Sequence, residues 1–322
     1  MHERIVGAPA SALAPLLDRL GGPDDVLWPA PAWEPMILDG PPVVGADGGH
    51  GPIRYRVVDA EPGRRIRFAF HSTPGITGHH EISLEPVADG RTRVRHVLDC
   101  RTEGAMRILG PLLLVPLHDA VLEDLLDDAE LAATGSVTRP ARWSAWVRML
   151  RTVDLPAVRS VDVPDGAVLA RRSLAEQSGR PGALVDAFAV PVWRGFPTDP
   201  QAWADATFRD LPGWVRAAFA VRQAVALLVG IDRGEREDFF ATRERSETEV
   251  LLGGDPGHLR FRASVLVADG AVTLTTVSAP STAKGRAYLA VVRRVHPAVI
   301  RAMLRRAHRR AAQQGRIGLG VS

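Results

Sequence analysis

The sequence predicts an α+β protein made of two similar units, each a curved antiparallel sheet wrapped around a long C-terminal helix. Three observations lead to this fold class. The segments PLHDAVLEDLLDDAE and RVHPAVIRAMLRRAH align on His118 and His296 and share apolar positions at helical spacing. The tetrapeptide VADG occurs at 87–90 and again at 267–270, at nearly the same offset as the two histidines. Each copy lies between two runs of alternating apolar residues, which predicts a β-hairpin in each unit.

Length and composition limit the number of domains and the classes of partner. With 322 residues, 46% apolar and 24% charged, the chain is long enough for two globular domains. A formal net charge of +3 does not indicate nucleic acid as a partner. The single Cys100 cannot form an intramolecular disulfide, and we recognise no leader peptide and no long apolar run. We therefore expect a cytoplasmic protein without a transmembrane segment.

The first unit is predicted to start with a helix and an antiparallel hairpin. In PASALAPLLDRL four leucines recur at helical spacing, which indicates a helix with one apolar face. In PIRYRVVDAEPGRRIRFAF apolar residues alternate with arginines, so we expect one apolar and one basic face. The predicted pairs on the apolar face are Ile53–Phe70, Tyr55–Phe68 and Val57–Ile66. The basic face carries Arg54, Arg56, Arg65 and Arg67, and we interpret it as solvated.

The VADG hairpins are predicted to turn at their Asp-Gly pairs. In the first unit a two-residue turn would set Glu85 against Val94, so we infer a β-bulge near Pro86. Beyond this bulge the expected pairs are Leu84–Val94, Ile82–His96 and His80–Leu98. In the second unit no adjustment is needed, and the expected pairs are Phe261–Ser278, Ala263–Thr276, Val265–Leu274 and Val267–Val272. At the positions matching His80 and His96 the second unit thus has Phe261 and Thr276.

The terminal helix of each unit is predicted to carry an apolar stripe beside a charged one. Pro116 and Pro297 occupy almost the same point in the two helices, where each should begin a helical segment or kink it. The charged stripes are Asp119, Glu123, Asp127 and Glu130 in the first helix and Arg301, Arg305 and His308 in the second. We expect both stripes to point away from their own sheets. They are then either two solvated faces or complementary surfaces that pair between domains or across a homodimer.

Between the units, residues 136–164 are predicted to form a linker with one short basic amphipathic helix. Trp143, Trp146, Val147 and Leu150 share one face of that helix. The favoured interpretation is a helix docked onto one of the domains, and the weaker alternative is contact with a membrane surface. The predicted domains are therefore 1–135 and 165–322.

Several segments of the chain resemble known families. GGHGPIRYRVV, EPGRRIRF, GHHEISLEP and LHDAVLEDLLDDAE resemble a bacterial member of the START-like superfamily of polyketide cyclases and lipid-transport proteins (SRPBCC), over residues 1–134. DAFAVPVWRGFPTDPQAWADATFRDL, TEVLLGGDPGHLRFRASV and GRAYLAVVRRVHPAVIRAML resemble the bacterial domain of unknown function 2867, over residues 165–316. The first resemblance implies the helix-grip fold with a pocket. It does not specify a reaction, because this fold serves carriers, cyclases and regulators alike.

The candidate site lies on the concave apolar face of the first unit. Apolar pockets with few polar groups are typical of small-molecule sites, so we expect a small hydrophobic ligand there. The predicted ligand-binding residues are Tyr55, Phe68, Phe70, His80, Ile82, His96, His118 and Val121, with His50 and Arg54 at the mouth. If the unit is an enzyme, its catalytic candidates are His80 or His96 as general acid/base and Tyr55 as the group that orients a carbonyl oxygen.

No cofactor or metal is predicted. Adjacent histidines in GHH point to opposite faces of a strand, so His79 and His80 cannot share a metal ion. Neither G-x-S-x-G nor a dinucleotide-binding G-x-G-x-x-G occurs, and Cys100 lacks an activating context. Three functions stay open: binding of an apolar molecule, catalysis as a polyketide cyclase, aromatase or dehydratase with a titration near pH 6–7, and a second domain that serves as a self-association scaffold.

Overall fold

The computed structural model describes residues 1–153, 158–177, 179–209, 211–218 and 240–318. The chain divides into two compact units, Met1–Asp154 with Gln313–Ser322, and Leu155–Ala312. Each unit combines one antiparallel sheet with helices, which confirms the α+β class. Within the described part of the chain, no helix has the length and apolar character needed to cross a membrane.

Unit 1 contains a seven-stranded sheet and four helices among its described residues. The strands are β1 (His2–Val6), β2 (Ile37–Leu38), β3 (Asp47–His50), β4 (Ile53–Glu61), β5 (Arg65–Phe70), β6 (Ile76–Val87) and β7 (Arg91–Thr102). The helices are α1 (Ala10–Leu17), α2 (Met106–Leu109), α3 (Val115–Thr134) and α4 (Ala145–Val153), with a π-helical turn over Gly110–Leu114. The strand order β1-β7-β6-β5-β4-β3-β2 sets the N-terminal strand beside the last one.

The core of unit 1 lies between this sheet and the helices α1 and α3. Leu13 and Leu17 of α1 and Leu125 of α3 are almost completely buried, as their helical spacing predicts. They pack with inward residues of β4 and β5 such as Val57 and Ile66 in one apolar cluster. Each such side chain stabilises the fold by roughly 1.5–3 kcal/mol relative to exposure in water.

The β6–β7 hairpin has the predicted pairs but a different turn. Leu84 faces Val94, Ile82 faces His96 and His80 faces Leu98. The predicted bulge near Pro86 is wrong, because Pro86 pairs regularly with Thr92. The register is shifted by a three-residue connection, Ala88–Gly90, in which Asp89 and Gly90 both have positive φ. A third turn residue changes the register just as a bulge would, so both explanations predict the same strand faces.

The predicted register of β4–β5 is wrong by two residues. Tyr55 faces Phe70 and Val57 faces Phe68, and an irregularity follows between Val57 and Asp59. The pairing resumes at Asp59 opposite Arg67 and ends at Glu61 opposite Arg65, before a connection in which Gly63 has a positive φ of 67°. A two-residue shift keeps every side chain on its face, so the apolar and basic faces are as predicted. On the basic face Arg65 and Arg67 both bond Glu81.

The described residues of unit 2 contain a six-stranded sheet, a short helical stretch at 213–218 and three longer helices. Its strands are β8 (Arg159–Val161), β9 (Leu184–Pro191), β10 (Thr242–Arg245), β11 (Glu249–Gly254), β12 (Leu259–Ala268) and β13 (Ala271–Pro280). Its helices are α5 (Val168–Gln177), α6 (Pro200–Phe208) and α7 (Ala283–Gly318). The strand order is β10-β11-β12-β13-β9-β8. The β12–β13 hairpin has all four predicted pairs, with its turn at Asp269 and Gly270.

The two prolines of the terminal helices have different positions in the structure. Pro116 lies in the first turn of α3, directly after the π-helical turn, so it begins a segment as predicted. Pro297 lies inside the continuous helix α7 and does not begin a segment.

The acidic stripe of α3 does not point away from its own sheet, and that prediction is wrong. His2 and Arg4 of β1 bond all four of its members, Asp119, Glu123, Asp127 and Glu130. Alternation in β1 explains this contact, because His2 and Arg4 face α3 while Glu3 and Ile5 are exposed. In α7, His308 is buried and its Nε2 lies 3.2 Å from the Pro191 carbonyl oxygen, so it is not part of a solvated stripe either.

The short helix in the predicted linker, α4, packs against α3 of unit 1. Val147 and Leu150 are buried as their shared face predicts, whereas Trp146 is 43% exposed and donates its indole N–H to the Leu112 carbonyl at 2.7 Å. This packing agrees with a docked helix. It does not test contact with a membrane surface, which stays a prediction.

Candidate functional site

Strand periodicity brings four predicted site residues together on the inner face of unit 1. Tyr55 of β4, Phe68 and Phe70 of β5 and His80 of β6 lie on neighbouring strands of the sheet. We call these four residues the aromatic cluster. The His80 ring stacks on Phe68 at 4.8 Å between centroids and on Phe70 at 5.3 Å, and Tyr55 meets it edge-on at 4.9 Å. Tyr55, Phe68 and His80 are buried, so this wall is largely closed to water.

His80 and His96 form a hydrogen-bonded pair across the β6–β7 hairpin, which we call the histidine pair. His80 Nδ1 and His96 Nε2 are 3.3 Å apart. Both rings are buried, and their outer nitrogens, His80 Nε2 and His96 Nδ1, have no hydrogen-bond partner among the described residues. A neutral imidazole has one N–H donor and one lone pair. Whichever ring donates within the pair, one outer nitrogen is therefore a donor and the other is an acceptor.

Burial keeps these groups uncharged at neutral pH. The pKa of His80 is well below its usual value of 6.5 because the charged ring would be desolvated, and the positive charges of neighbouring histidines lower it further. Burial likewise lowers the pKa of His96. Desolvation of the phenolate raises the pKa of Tyr55, so its hydroxyl stays protonated. The site thus presents neutral donors and acceptors.

A third histidine, His50, extends the aromatic cluster toward β3. His50 Nδ1 lies 3.1 Å from the Tyr55 hydroxyl, and its ring contacts Trp28 at 4.7 Å between centroids. Burial lowers the pKa of His50 to about 4. Arg54, predicted beside His50, is exposed and donates to the neighbouring Ile53 carbonyl, so it does not join the cluster.

On the opposite side, the histidine pair leads to the N-terminal part of α3. The His118 ring lies 5.2 Å from the His96 ring. His118 Nδ1 is 3.8 Å from Asp119 Oδ1, and His2 bonds Asp119 at 3.0 Å and Glu123 at 2.8 Å. Hydrogen bonding by His118 and His2 lowers the pKa of Asp119, which is therefore ionised. We did not predict His2, since the sequence gives no sign that β1 lies beside β7.

The remaining predicted site residues occupy the surrounding core. Ile82 and Val121 are buried in the same apolar cluster as Tyr55 and Phe68. Cys100 is partly buried, and burial raises the pKa of its thiol, so it stays protonated. The structure therefore brings the predicted ring-bearing residues into one connected cluster, with apolar neighbours around it. Their role in ligand binding remains a prediction.

The fold and site together define an α+β protein with a buried, uncharged aromatic and histidine cluster between a sheet and a helix. Comparison with known proteins gives one family match: residues 180–303 match DUF2867, a protein family of unknown function, as the sequence resemblance indicated. No curated protein matches the chain.

Three solved structures are similar to this chain, two of them over less than half of its length and one over almost all of it. CalU16 from Micromonospora echinospora has 14% identity and a TM-score of 0.32, over 47% of this chain and 79% of that one. Norcoclaurine synthase from Thalictrum flavum, in complex with dopamine and hydroxybenzaldehyde, has 15% identity and a TM-score of 0.34, over 43% of this chain and 87% of that one. DynU16, from the dynemicin biosynthetic locus, has 14% identity and a TM-score of 0.30, over 99% of this chain and 96% of that one.

Proposed function

We propose that unit 1 binds a small, uncharged and mostly apolar molecule between its sheet and α3, against the aromatic cluster and the histidine pair. The observation that carries this proposal is the pair of buried outer nitrogens, His80 Nε2 and His96 Nδ1, that lack partners among the described residues. A buried polar group without a hydrogen bond costs about 1–3 kcal/mol. A ligand with a carbonyl or hydroxyl group would satisfy one of them.

The chemistry of the surrounding wall selects the ligand class. Phe68, Phe70 and Tyr55 supply flat apolar surface, which favours a planar or aromatic molecule. The low pKa of His80 and His96 leaves no cation there to bind a carboxylate or phosphate. A ligand that places one acceptor and one donor against the two outer nitrogens fits this wall best.

A binding experiment with an uncharged probe tests the proposal. Nile red is apolar, planar and carries a carbonyl acceptor. We expect at least one of His80→Phe and His96→Leu to weaken its binding about tenfold, because the carbonyl accepts from whichever outer nitrogen carries the proton and a lost buried hydrogen bond is worth about 1.4 kcal/mol. The matched control is His79→Phe, because His79 lies next to His80 on the other face of β6 and should leave binding unchanged. Unchanged affinity in both pocket variants, with thermal midpoints close to the parent, contradicts the proposal.

A second candidate function is catalysis of cyclisation or dehydration of a polyketide-like carbonyl compound. The hydrogen bond within the histidine pair favours it, since one outer nitrogen can remove a proton while the other donates one. The Tyr55 hydroxyl would orient the carbonyl oxygen. The expected titration near pH 6–7 needs revision, because burial lowers both histidine pKa values. Such an enzyme should have a rate that is independent of pH between about 6 and 9.

Native mass spectrometry separates binding from catalysis. The purified protein is incubated with an aromatic poly-ketone and the bound and released compounds are weighed. Recovery of a compound with unchanged mass and chromatographic retention supports a carrier. An isomer of the same mass with a different retention supports a cyclase, and a product lighter by one water supports cyclisation with dehydration. Loss of that product in His80→Phe but not in His79→Phe would assign it to the pair.

We further propose that the chain contains two tandem helix-grip domains, 1–135 and 165–322, joined by 136–164. In support, the strand that precedes the antiparallel meander of each unit pairs with the last strand of that meander: β1 pairs with β7, and β9 pairs with β13. A long helix follows the meander in both units. Unit 2 would be a diverged copy, with Phe261 and Thr276 in place of the histidines. A role in self-association predicts a dimer in light scattering that is lost when unit 2 is deleted.

A further inference from the structure

We infer that His2, His118 and Asp119 form a binding site for a divalent transition-metal ion such as Zn²⁺. Each residue offers one ligand atom, and these atoms lie within 4.8 Å of one another. His2 comes from β1, whereas His118 and Asp119 are neighbours on α3. The site shares His118 with the predicted ligand-binding residues, but it includes neither member of the histidine pair and does not depend on the proposed function. Spacing along the chain predicted no metal site, because His2 and His118 are far apart in the sequence.

The distances fit a small tetrahedral ion. His2 Nε2 is 3.0 Å and His118 Nδ1 is 3.8 Å from the same atom, Asp119 Oδ1. Around Zn²⁺, with bonds of about 2.0–2.1 Å, neighbouring ligand atoms are roughly 3.3 Å apart. The two separations lie on either side of that value, so small side-chain rotations would bring both nitrogens and the carboxylate to one ion.

The donor set favours a transition metal over Mg²⁺ or Ca²⁺. Two imidazoles and one carboxylate suit Zn²⁺, Co²⁺ or Ni²⁺, whereas the harder cations prefer oxygen ligands alone. Three protein ligands leave a fourth position for water or another molecule. The Asp119 side chain is half exposed, at 50%, so an ion can reach the site from solvent.

The surroundings of His2 provide a second, independent observation. Its other nitrogen, Nδ1, lies 2.8 Å from Glu123 Oε1. Glu123 Oε2 is in turn 3.4 Å from the Arg4 guanidinium. Metal-binding histidines typically donate their second N–H to a carboxylate, which fixes the ring and its tautomer. With Nδ1–H donated to Glu123, Nε2 is the His2 atom directed at the Asp119 carboxylate. An ion that binds there takes the place of the Nε2 proton, which is released to solvent.

The test is a metal titration of the tag-free, full-length protein after treatment with a chelator. Calorimetry with Zn²⁺ and visible absorption with Co²⁺ should each give one bound ion per chain. We expect His118→Ala and Asp119→Asn to weaken binding at least about tenfold, and Glu123→Gln to weaken it about 10- to 100-fold through the orientation of His2. The control is His71→Ala, because His71 Nε2 also pairs with a carboxylate, Asp47 Oδ1 at 3.0 Å, but at another place in unit 1.

Circular dichroism shows whether each variant is folded. If His118→Ala is unfolded, the thermal midpoints of the other proteins test the inference instead. An ion that binds only the folded state raises the midpoint of a protein that has the site. Zn²⁺ should then raise the midpoint of the parent and of His71→Ala but not that of Asp119→Asn. The inference is overturned if the parent binds no stoichiometric ion, or if His71→Ala weakens binding as much as Asp119→Asn does.

Discussion

Individual residues of α3 show that a row of charged side chains on a helix need not be exposed to solvent. Asp124, Asp127 and Glu130 are all buried. Asp124 accepts indole N–H bonds from Trp33 at 2.7 Å and from Trp143 at 3.0 Å. A carboxylate can be buried only if donors satisfy it, and here the donors come from distant parts of the chain. Spacing along one helix therefore identifies the stripe but not the residues that cover it.

Arg4 is the residue on which this burial depends most. It bonds Asp127, which is fully buried, and Glu130 at 3.3 Å. We expect Arg4→Met to lower the free energy of unfolding by about 3–5 kcal/mol, because it leaves buried carboxylates without their cation. The control is Arg56→Met, since Arg56 pairs with Asp47 on the exposed face and should cost only about 0–1 kcal/mol. Urea unfolding of both variants measures the difference, and equal losses would show that Arg4 is not essential to the buried cluster.

At the scale of residues, the sequence was enough to predict most members of the candidate site, but it could not predict all of them. Alternation along β4, β5, β6 and β7 was enough to bring Tyr55, His80 and His96 to one face. His2 and the contact of His50 with Tyr55 depend on which strands are neighbours and how loops return, and single-sequence periodicity contains neither.

At the scale of elements, the β6–β7 hairpin makes the stability of unit 1 depend on pH. Its register places two buried histidines side by side, and the partly buried His50 lies next to Tyr55 in the same cluster. Burial lowers their folded-state pKa below the 6.5 of an exposed ring. Below that pH the unfolded chain takes up protons that the folded chain does not. Their stabilisation is therefore present above about pH 6.5 and is lost as the pH falls.

The dependence of stability on pH has a measurable slope. Each buried neutral histidine lowers the free energy of unfolding by about 1.4 kcal/mol for every pH unit below 6.5. The double variant His80→Phe/His96→Leu removes two such groups, so it should lose much less stability than the parent between about pH 6.5 and 5. Urea titrations at both pH values test this, with His79→Phe as control. Equal pH dependence in the parent and the double variant would contradict the proposed burial.

Elements also show which aspects of the fold were predictable. The faces of the hairpins were correct throughout, because alternation with period two determines them. The register of β4–β5 was not, since it depends on the turn around Gly63 and on an irregularity after Val57 that polarity alone does not indicate. The segment 119–130 was predicted correctly as helix, but its acidic stripe was predicted incorrectly to point away from the sheet.

For the whole molecule, the open question is where unit 1 ends as a stable fold. The sequence predicts separable halves with a cut either near Ser136 or between Val153 and Val163. The first of these cuts would remove the segment that covers α3. In the structure Thr138 donates to Glu130 at 2.6 Å, Ala141 N–H donates to Asp127 at 2.7 Å and Trp143 donates to Asp124. The Arg151 guanidinium lies 4.4 Å from the centre of the Trp33 ring. These contacts make residues 136–153 part of the first fold as well as a connection.

We therefore expect residues 1–153 to fold alone and residues 1–136 to be much less stable. The shorter fragment leaves three buried carboxylates of α3 short of a hydrogen-bond donor, and each lost bond to a charged group costs about 1.5–3 kcal/mol. It also exposes the apolar surface that Val147 and Leu150 cover. Amide NMR spectra and urea unfolding of the two fragments give the comparison. Equal stability would mean that α4 and the residues 137–144 before it contribute nothing to unit 1. An unfolded longer fragment would mean that unit 1 needs the rest of the chain.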